Sequence, residues 1–220
     1  MQIIRIDIQK PSPSIIRQAA RILKAGGVVA HATETAYGLA ACATDTKAVK
    51  RINQLKGRPQ NKHLSVIVSD LAMAEKYARF TPQARTLAQK YWPGPLTLIL
   101  HARKNMPRQL TPDNTIGLRV PGSKLARALV KAAGEPLIST SANLAGQPNP
   151  YSARRVKKDF AATTTNATAA NKTNTQQQPD LILDGGHLPH RRPSTIINLT
   201  TTPPRIERQG TIHINLDHVF

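Results

Sequence analysis

The chain is poor in cysteine, in aromatics, in acids and in long apolar runs. Its one cysteine, Cys42, can form no internal disulfide, and without a CxxC pair there is no cysteine framework for zinc. Aromatic residues are 4% of the chain, too few for a base-stacking platform along a nucleic-acid strand. No apolar run approaches the roughly 18 residues that a membrane span needs. No amphipathic stretch carries the bulky anchors of a membrane-surface helix. The opening MQIIRIDIQK alternates like a strand and lacks the uninterrupted apolar segment of a secretory leader. These absences predict a cytoplasmic protein, and the glycosylation-type triplets at Asn166, Asn171 and Asn198 are then chance matches. Also missing are GxxxxGK[ST], GxGxxG, HExxH and GxSxG, so a nucleotide would be held by another device. His187 and His190 in GHLPH have no third partner in sequence, and no metal site is predicted.

The acid deficit is the strongest compositional signal. Twelve Asp+Glu stand against 31 Lys+Arg, a net charge of +19. Between Asp45 and Asp113 the only acids are Asp70 and Glu75, against thirteen cations from Lys47 to Arg108. That imbalance predicts an anionic partner such as nucleotide phosphates or nucleic acid; the bland alternative is a soluble protein of a basic proteome.

A length of 220 residues fits one domain with an ample core. Helical and strand patterns alternate along it. Ser14 is the expected cap of a helix to Lys24, followed by a strand at Val28–Ala30. Asp45 or Thr46 caps a helix ended by Gly57 and Pro59. Leu64–Ser69 reads as a strand, Asp70 caps a short helix, and Thr81-Pro82 opens another to Trp92. Strands follow at Leu96–Leu100 and Gly117–Val120. Ser123 opens a helix to Ala133, and Leu137–Ser139 is a strand. Ser152 caps a basic helix to Phe160, and short strands lie at Leu181–Leu183, Thr195–Leu199 and Arg205–Arg208. The alternation predicts an α/β architecture, and strands that follow one another without a helix make the sheet mixed. From Ala161 to Gln178 there is no large apolar residue. That segment is expected to be a disordered surface insertion, with a weak helix as the alternative.

Four segments carry polar groups where strands or helices end. HATETAYGL, residues 31–39, brings Thr33, Glu34 and Thr35 behind a strand; capping threonines at a strand edge would look the same. In LKGRPQNKHL, residues 55–64, Lys56, Arg58 and Lys62 gather at a helix end. There they are either partners of the helix dipole or a phosphate clamp. PLISTSANLAG, residues 136–146, clusters Ser139, Thr140, Ser141 and Asn143 at the end of a buried strand, as ligand sites in open sheets do and as ordinary turns do. In GLRVP, residues 117–121, Arg119 sits inside an apolar strand and needs an acid, either Glu34 or a ligand carboxylate.

Together these segments resemble the YrdC family, the threonylcarbamoyl-AMP synthases. ATETAYGL is similar to the family's PTETxYGL. KGRP, WPGPLT (residues 92–97), GLRVP, STSAN and RPSTIINL (residues 192–199) stand in the family's order. IERQG, residues 206–210, resembles its closing RPG. The most specific marks are the Lys-x-Arg pair, Lys56 with Arg58, and the Ser-x-Asn pair, Ser141 with Asn143. Ala32, His63 and Gln209 replace family prolines, and Ile67 stands where some members have a ligand-touching histidine.

The resemblance implies a YrdC-like twisted mixed sheet flanked by helices, with a basic concave ligand cleft. It implies a single domain over 1–220, without the further C-terminal domain of longer members. The implied reaction makes threonylcarbamoyl-AMP and pyrophosphate from L-threonine, bicarbonate or CO2, and ATP with its accompanying Mg2+. The product would feed threonylcarbamoyladenosine modification of tRNA through a downstream tRNA threonylcarbamoyl transferase. By resemblance Thr35, Arg119, Ser139 and Ser194 hold threonine. Arg58, Lys62, Thr115, Ser141, Asn143, Asn149 and Arg208 contact ATP, and Lys56 and Arg58 carry catalysis. A YrdC-like protein that binds tRNA or double-stranded RNA without synthase activity is the alternative.

Overall fold

The computed structural model describes residues 1–57, 64–165 and 178–216. Its elements in chain order are β1 (Gln2–Arg5), α1 (Pro13–Lys24), β2 (Val29–Ala32), β3 (Tyr37–Ala40), α2 (Thr46–Lys56), β4 (Ser65–Ile67), α3 (Leu71–Glu75), α4 (Pro82–Tyr91), β5 (Leu96–His101), β6 (Thr115–Arg119), α5 (Lys124–Ala133), β7 (Leu137–Ser141), α6 (Ala153–Thr165), β8 (Leu181–Asp184), β9 (Thr195–Asn198) and β10 (Arg205–Arg208).

Helices begin where a side-chain oxygen can accept a freed backbone N–H. Asp45 accepts from Lys47, Asp70 from Met73, Thr81 from Ala84 and Ser123 from Ala126. Helix α1 starts earlier than the Ser14 cap predicts, at Pro13 with Ser12 before it; a first-position proline loses no hydrogen bond because that N–H has no helical partner. Gly57 ends α2 at φ 58°, a left-handed conformation that costs glycine little. Two boundaries differ further. Strand β3 was hidden inside the ATETAYGL motif; its four residues are all buried, so it shows no polar alternation to read. Helix α6 passes Phe160 and takes in residues 161–165, where the sequence predicted the insertion to begin. Once Val156 and Phe160 are buried the helix is nucleated, and further alanine and threonine residues extend it at little cost. The rest of the expected insertion, residues 166–177, lies outside the described residues.

The ten strands form one sheet in the order β1-β8-β2-β3-β7-β4-β6-β5-β9-β10. Pairings β1–β8, β8–β2, β4–β6 and β5–β9 are parallel. The others, β2–β3, β3–β7, β7–β4, β5–β6 and β9–β10, are antiparallel. The sheet is mixed, as the sequence predicts. Helices α1 and α5 pack on each other and on β2, α4 on β5 and α6 on β8. Leu23, Leu39, Ile52, Leu96, Leu98, Ile116 and Phe160 are fully buried between these layers. Burying each such side chain contributes about 1.5–3 kcal/mol. Among the described residues no helix is long and apolar enough to cross a membrane.

Candidate active site

A cleft of about 350 Å³ opens across the sheet. Seven strands adjacent in the sheet each contribute to it: β3 with Gly38, β7 with Ser139–Ser141, β4 with Ser65 and Ile67, β6 with Arg119, β5 with Thr97, β9 with Ile196 and β10 with Arg208. The right-handed twist accumulated over so many strands makes the surface concave. Register puts the site together. Ser65 pairs with Ser139, Ile67 with Arg119, Thr97 with Ile196, and Ile196 in turn with Arg208; paired residues share a face. The loop between β2 and β3 closes one wall with Thr33, Glu34, Thr35 and Ala36. The Thr33 hydroxyl accepts from the N–H groups of Thr35 and Ala36 and donates to the Ala36 carbonyl at 2.7 Å. This turn chemistry fixes where Thr35 stands.

Among the described residues three arginines, Arg119, Arg191 and Arg208, line the cleft against one carboxylate, Glu34. Arg119 pairs with Glu34, one of the two acids that the sequence offered it. One guanidinium nitrogen donates to Glu34 Oε1, and Nε donates to the Gly94 carbonyl at 2.9 Å. The same carboxylate oxygen accepts the Gly122 N–H at 2.8 Å. Burial alone would raise the Glu34 carboxyl, but the Arg119 charge and these hydrogen bonds outweigh it and hold it below its ordinary 4.5. Arg208 donates to the Ser194 carbonyl at 2.9 Å and hydroxyl at 3.0 Å, and that hydroxyl lies 3.2 Å from Thr97 Oγ1. Burial, then the charge of Arg119, lowers the Arg208 guanidinium. Both arginines line the cleft, and Glu34 pairs with Arg119. Gly210 lets β10 approach: a Cβ there would lie 2.1 Å from the Pro193 carbonyl oxygen.

Lys56, at the end of α2, is buried. Its ammonium crosses to the end of β7 and donates to the Ser141 carbonyl at 2.5 Å, the Asn143 carbonyl at 2.8 Å and Asn143 Oδ1 at 3.0 Å. The Ser141 hydroxyl donates to Asn143 Oδ1 at 2.5 Å, and Asn143 Nδ2 donates to the Gln147 carbonyl. Residues 85 or more positions apart in sequence are thereby locked together.

Stability should report the buried pair. The Glu34 carboxyl titrates near 4.5 in the unfolded chain and below that in the folded one. Its contribution is whole above 4.5 and is lost as pH falls through the folded value. Glu34→Gln should therefore melt below wild type at pH 7 but lose less on acidification below 4.5. Melting curves from pH 7 to 3 check this, and parallel declines of the two proteins would contradict it.

The Sua5_yciO_yrdC family model, described as telomere recombination, matches residues 21–210. The chain belongs to the Sua5/YciO/YrdC family. It is 37% identical to the threonylcarbamoyl-AMP synthase of Pyrococcus abyssi over 89% of this chain and 54% of that protein. It therefore spans about half the length of that relative. The crystal structure of P. abyssi Sua5 complexed with L-threonine superposes with a TM-score of 0.84 at 36% identity, covering 96% of this chain and 58% of that one. Escherichia coli YciO, an uncharacterized protein, is 32% identical over 95% of both chains. Its crystal structure matches with a TM-score of 0.81 at 31% identity, over 96% of this chain and 97% of that one.

For this member of the family, the cleft gathers Thr35, Arg119, Ser139, Ser141, Asn149, Ser194 and Arg208 of the residues singled out from sequence. Lys56 and Asn143 are not among the lining residues but are joined to Ser141, which is. Thr115 is not brought in. It lies at the far end of β6 from Arg119, about 13 Å away at about 3.3 Å per residue, and its hydroxyl donates to the Pro112 carbonyl. Arg58 and Lys62 lie outside the described residues. Ile67, the departure from a family histidine, lines the cleft as an apolar patch. Sequence reasoning missed Thr97, Ser65 and Arg191. Cross-strand register exposes the first two, and the third is the first arginine of the pair preceding PST. Among the described residues no cluster of three or more His, Cys, Asp or Glu could hold a metal ion.

Proposed function

We propose that this chain is a threonylcarbamoyl-AMP synthase, a nucleotidyltransferase that makes threonylcarbamoyl-AMP and pyrophosphate from L-threonine, CO2 derived from bicarbonate, and ATP. The observation that carries this is the cationic excess inside the cleft, three arginines over one carboxylate that is already committed to Arg119. Arg119 and Ser194 would take the threonine carboxylate, Thr35 its side chain, and Ser139 would contact it through the backbone. Ser141, Asn149 and Arg208, with Arg58 and Lys62, would hold ATP, which brings Mg2+ as part of the substrate. Lys56 and Asn143 would position Ser141.

The neutral amine of threonine attacks the carbon of CO2, forming the N–C bond of a carbamate and releasing a proton. A carbamate oxygen then attacks the α-phosphorus, the bond from that phosphorus to the bridging oxygen breaks, and pyrophosphate leaves. Glu34, held anionic by Arg119, is a weak base. The cleft therefore works through positioning and charge neutralisation rather than strong acid–base catalysis. ATP consumption should require both threonine and bicarbonate. Serine should be a poorer substrate, because one lost methyl contact is worth about 1–3 kcal/mol. Equal consumption without any amino acid would contradict the proposal.

We further propose tRNA or double-stranded RNA as a partner, consistent with a cytoplasmic tRNA-modifying role. The net charge of +19 and the exposed cations Arg154, Lys157 and Lys158 on α6 support it. Binding should be weak, indifferent to sequence and steeply reduced between about 50 and 200 mM salt. Filter-binding titrations check this, and binding that salt leaves unchanged would contradict it.

A further inference from the structure

We propose that Arg191 is a polyphosphate-binding residue of the cleft, taking the outer phosphates of the nucleotide and the pyrophosphate made from them. This rests on the synthase reading and adds a phosphate contact that the family-like motifs did not indicate.

Arg191 lines the cleft and is exposed. Among the described residues its side chain has no hydrogen bond or ion pair, whereas Arg119 and Arg208 are both engaged. Its backbone is nonetheless held on both sides. The His190 ring stacks on Tyr151 with centroids 3.8 Å apart and 23° between planes. Leu188 is buried and its N–H donates to the Tyr151 carbonyl at 2.8 Å. On the other side the Thr211 hydroxyl donates to the Arg192 carbonyl at 2.6 Å, and the Thr211 N–H to the Pro193 carbonyl at 2.9 Å. A fixed backbone carrying an uncommitted guanidinium is a preorganised anion contact, and the planar fork suits phosphate oxygens.

Position favours polyphosphate over the amino-acid carboxylate. Arg119 is enclosed in the cleft wall, its side chain 11% exposed, whereas Arg191 is exposed, so Arg191 meets the part of a ligand nearer to solvent, from which pyrophosphate must leave. The Arg191 guanidinium suits an anion with charge spread along its length, while Arg119 is left to the amino-acid carboxylate. Lys56, bonded to Ser141 and Asn143, is not among the residues that line the cleft.

Calorimetric titration of inorganic pyrophosphate and, separately, of L-threonine into wild type, Arg191→Ala and Arg191→Lys tests this. Arg191→Ala should weaken pyrophosphate by about tenfold, the worth of one charge-assisted contact. Threonine affinity and melting temperature should stay near wild type. Arg191→Lys should fall between, keeping the charge and losing the fork. Unchanged pyrophosphate affinity in Arg191→Ala, or no uptake by wild type, would overturn the assignment. Equal losses for threonine and pyrophosphate would move Arg191 to the carboxylate and also overturn it. Wild-type turnover is read separately: a protein that binds pyrophosphate through Arg191 yet makes no adenylate would keep this subsite and lose the synthase reading.

Discussion

Lys56→Ala is expected to lower both melting temperature and turnover. The substitution removes the ammonium that donates to the Ser141 and Asn143 carbonyls and to Asn143 Oδ1, and leaves these acceptors short of a donor. Stranding buried acceptors costs about 1–3 kcal/mol, which for a domain of this size lowers melting by roughly 2–4 °C per kcal/mol. Turnover should fall about a hundredfold, or about 2.7 kcal/mol of transition-state stabilisation, because Ser141 lines the cleft and loses its anchor. Lys56→Met, similar in length and without donors, should behave like the alanine variant. Normal melting with lost turnover would instead mean that the ammonium serves the substrate directly. Lowered melting with normal turnover would reduce Lys56 to a structural brace.

Arg119→Ala should be the more damaging change. It leaves Glu34 deep in the cleft wall with its guanidinium partner gone, and Glu34 Oε2 already has no hydrogen-bond partner. Removing one member of a buried ion pair costs about 3–5 kcal/mol. A cationic lining residue of the cleft would be lost as well, so turnover should fall by at least about a hundredfold. Arg119→Lys restores charge but not the paired contacts to Glu34 and the Gly94 carbonyl, and should recover stability more than turnover. Pairing Arg119→Ala with Glu34→Ala separates the effects: stability should partly return once the stranded carboxylate is gone, and turnover should not. Thermal unfolding beside turnover for these variants gives the answer, and near-normal turnover in Arg119→Ala would contradict the assignment of Arg119 to substrate.

Local chemistry explains what was legible in the sequence. Asp45, Asp70, Thr81 and Ser123 announce their helices because capping is a contact within a few residues. Arg119 announces a partner because an apolar strand cannot leave a charge unpaired. Register, by contrast, is a long-range property. That Ser65 lies beside Ser139, or Thr97 beside Ile196, follows from a strand order no local pattern contains. The role of Lys56 was illegible for the same reason. Its position at a helix end suggested either a dipole partner or a phosphate contact, and nothing local announced its bonds to Ser141 and Asn143, 85 and 87 positions away. Thr115 belongs to the same strand as Arg119 and stands at the other end of it, a separation that strand length rather than any local pattern sets.

The proposed chemistry is tested most directly by following carbon-13 from bicarbonate in a reaction with ATP and L-threonine. The expected result is labelled threonylcarbamoyl-AMP, formed one for one with pyrophosphate and absent when either threonine or bicarbonate is left out. ADP and inorganic phosphate as products, or pyrophosphate released at the same rate without threonine, would contradict a synthase and leave a nucleotide hydrolase on the same fold.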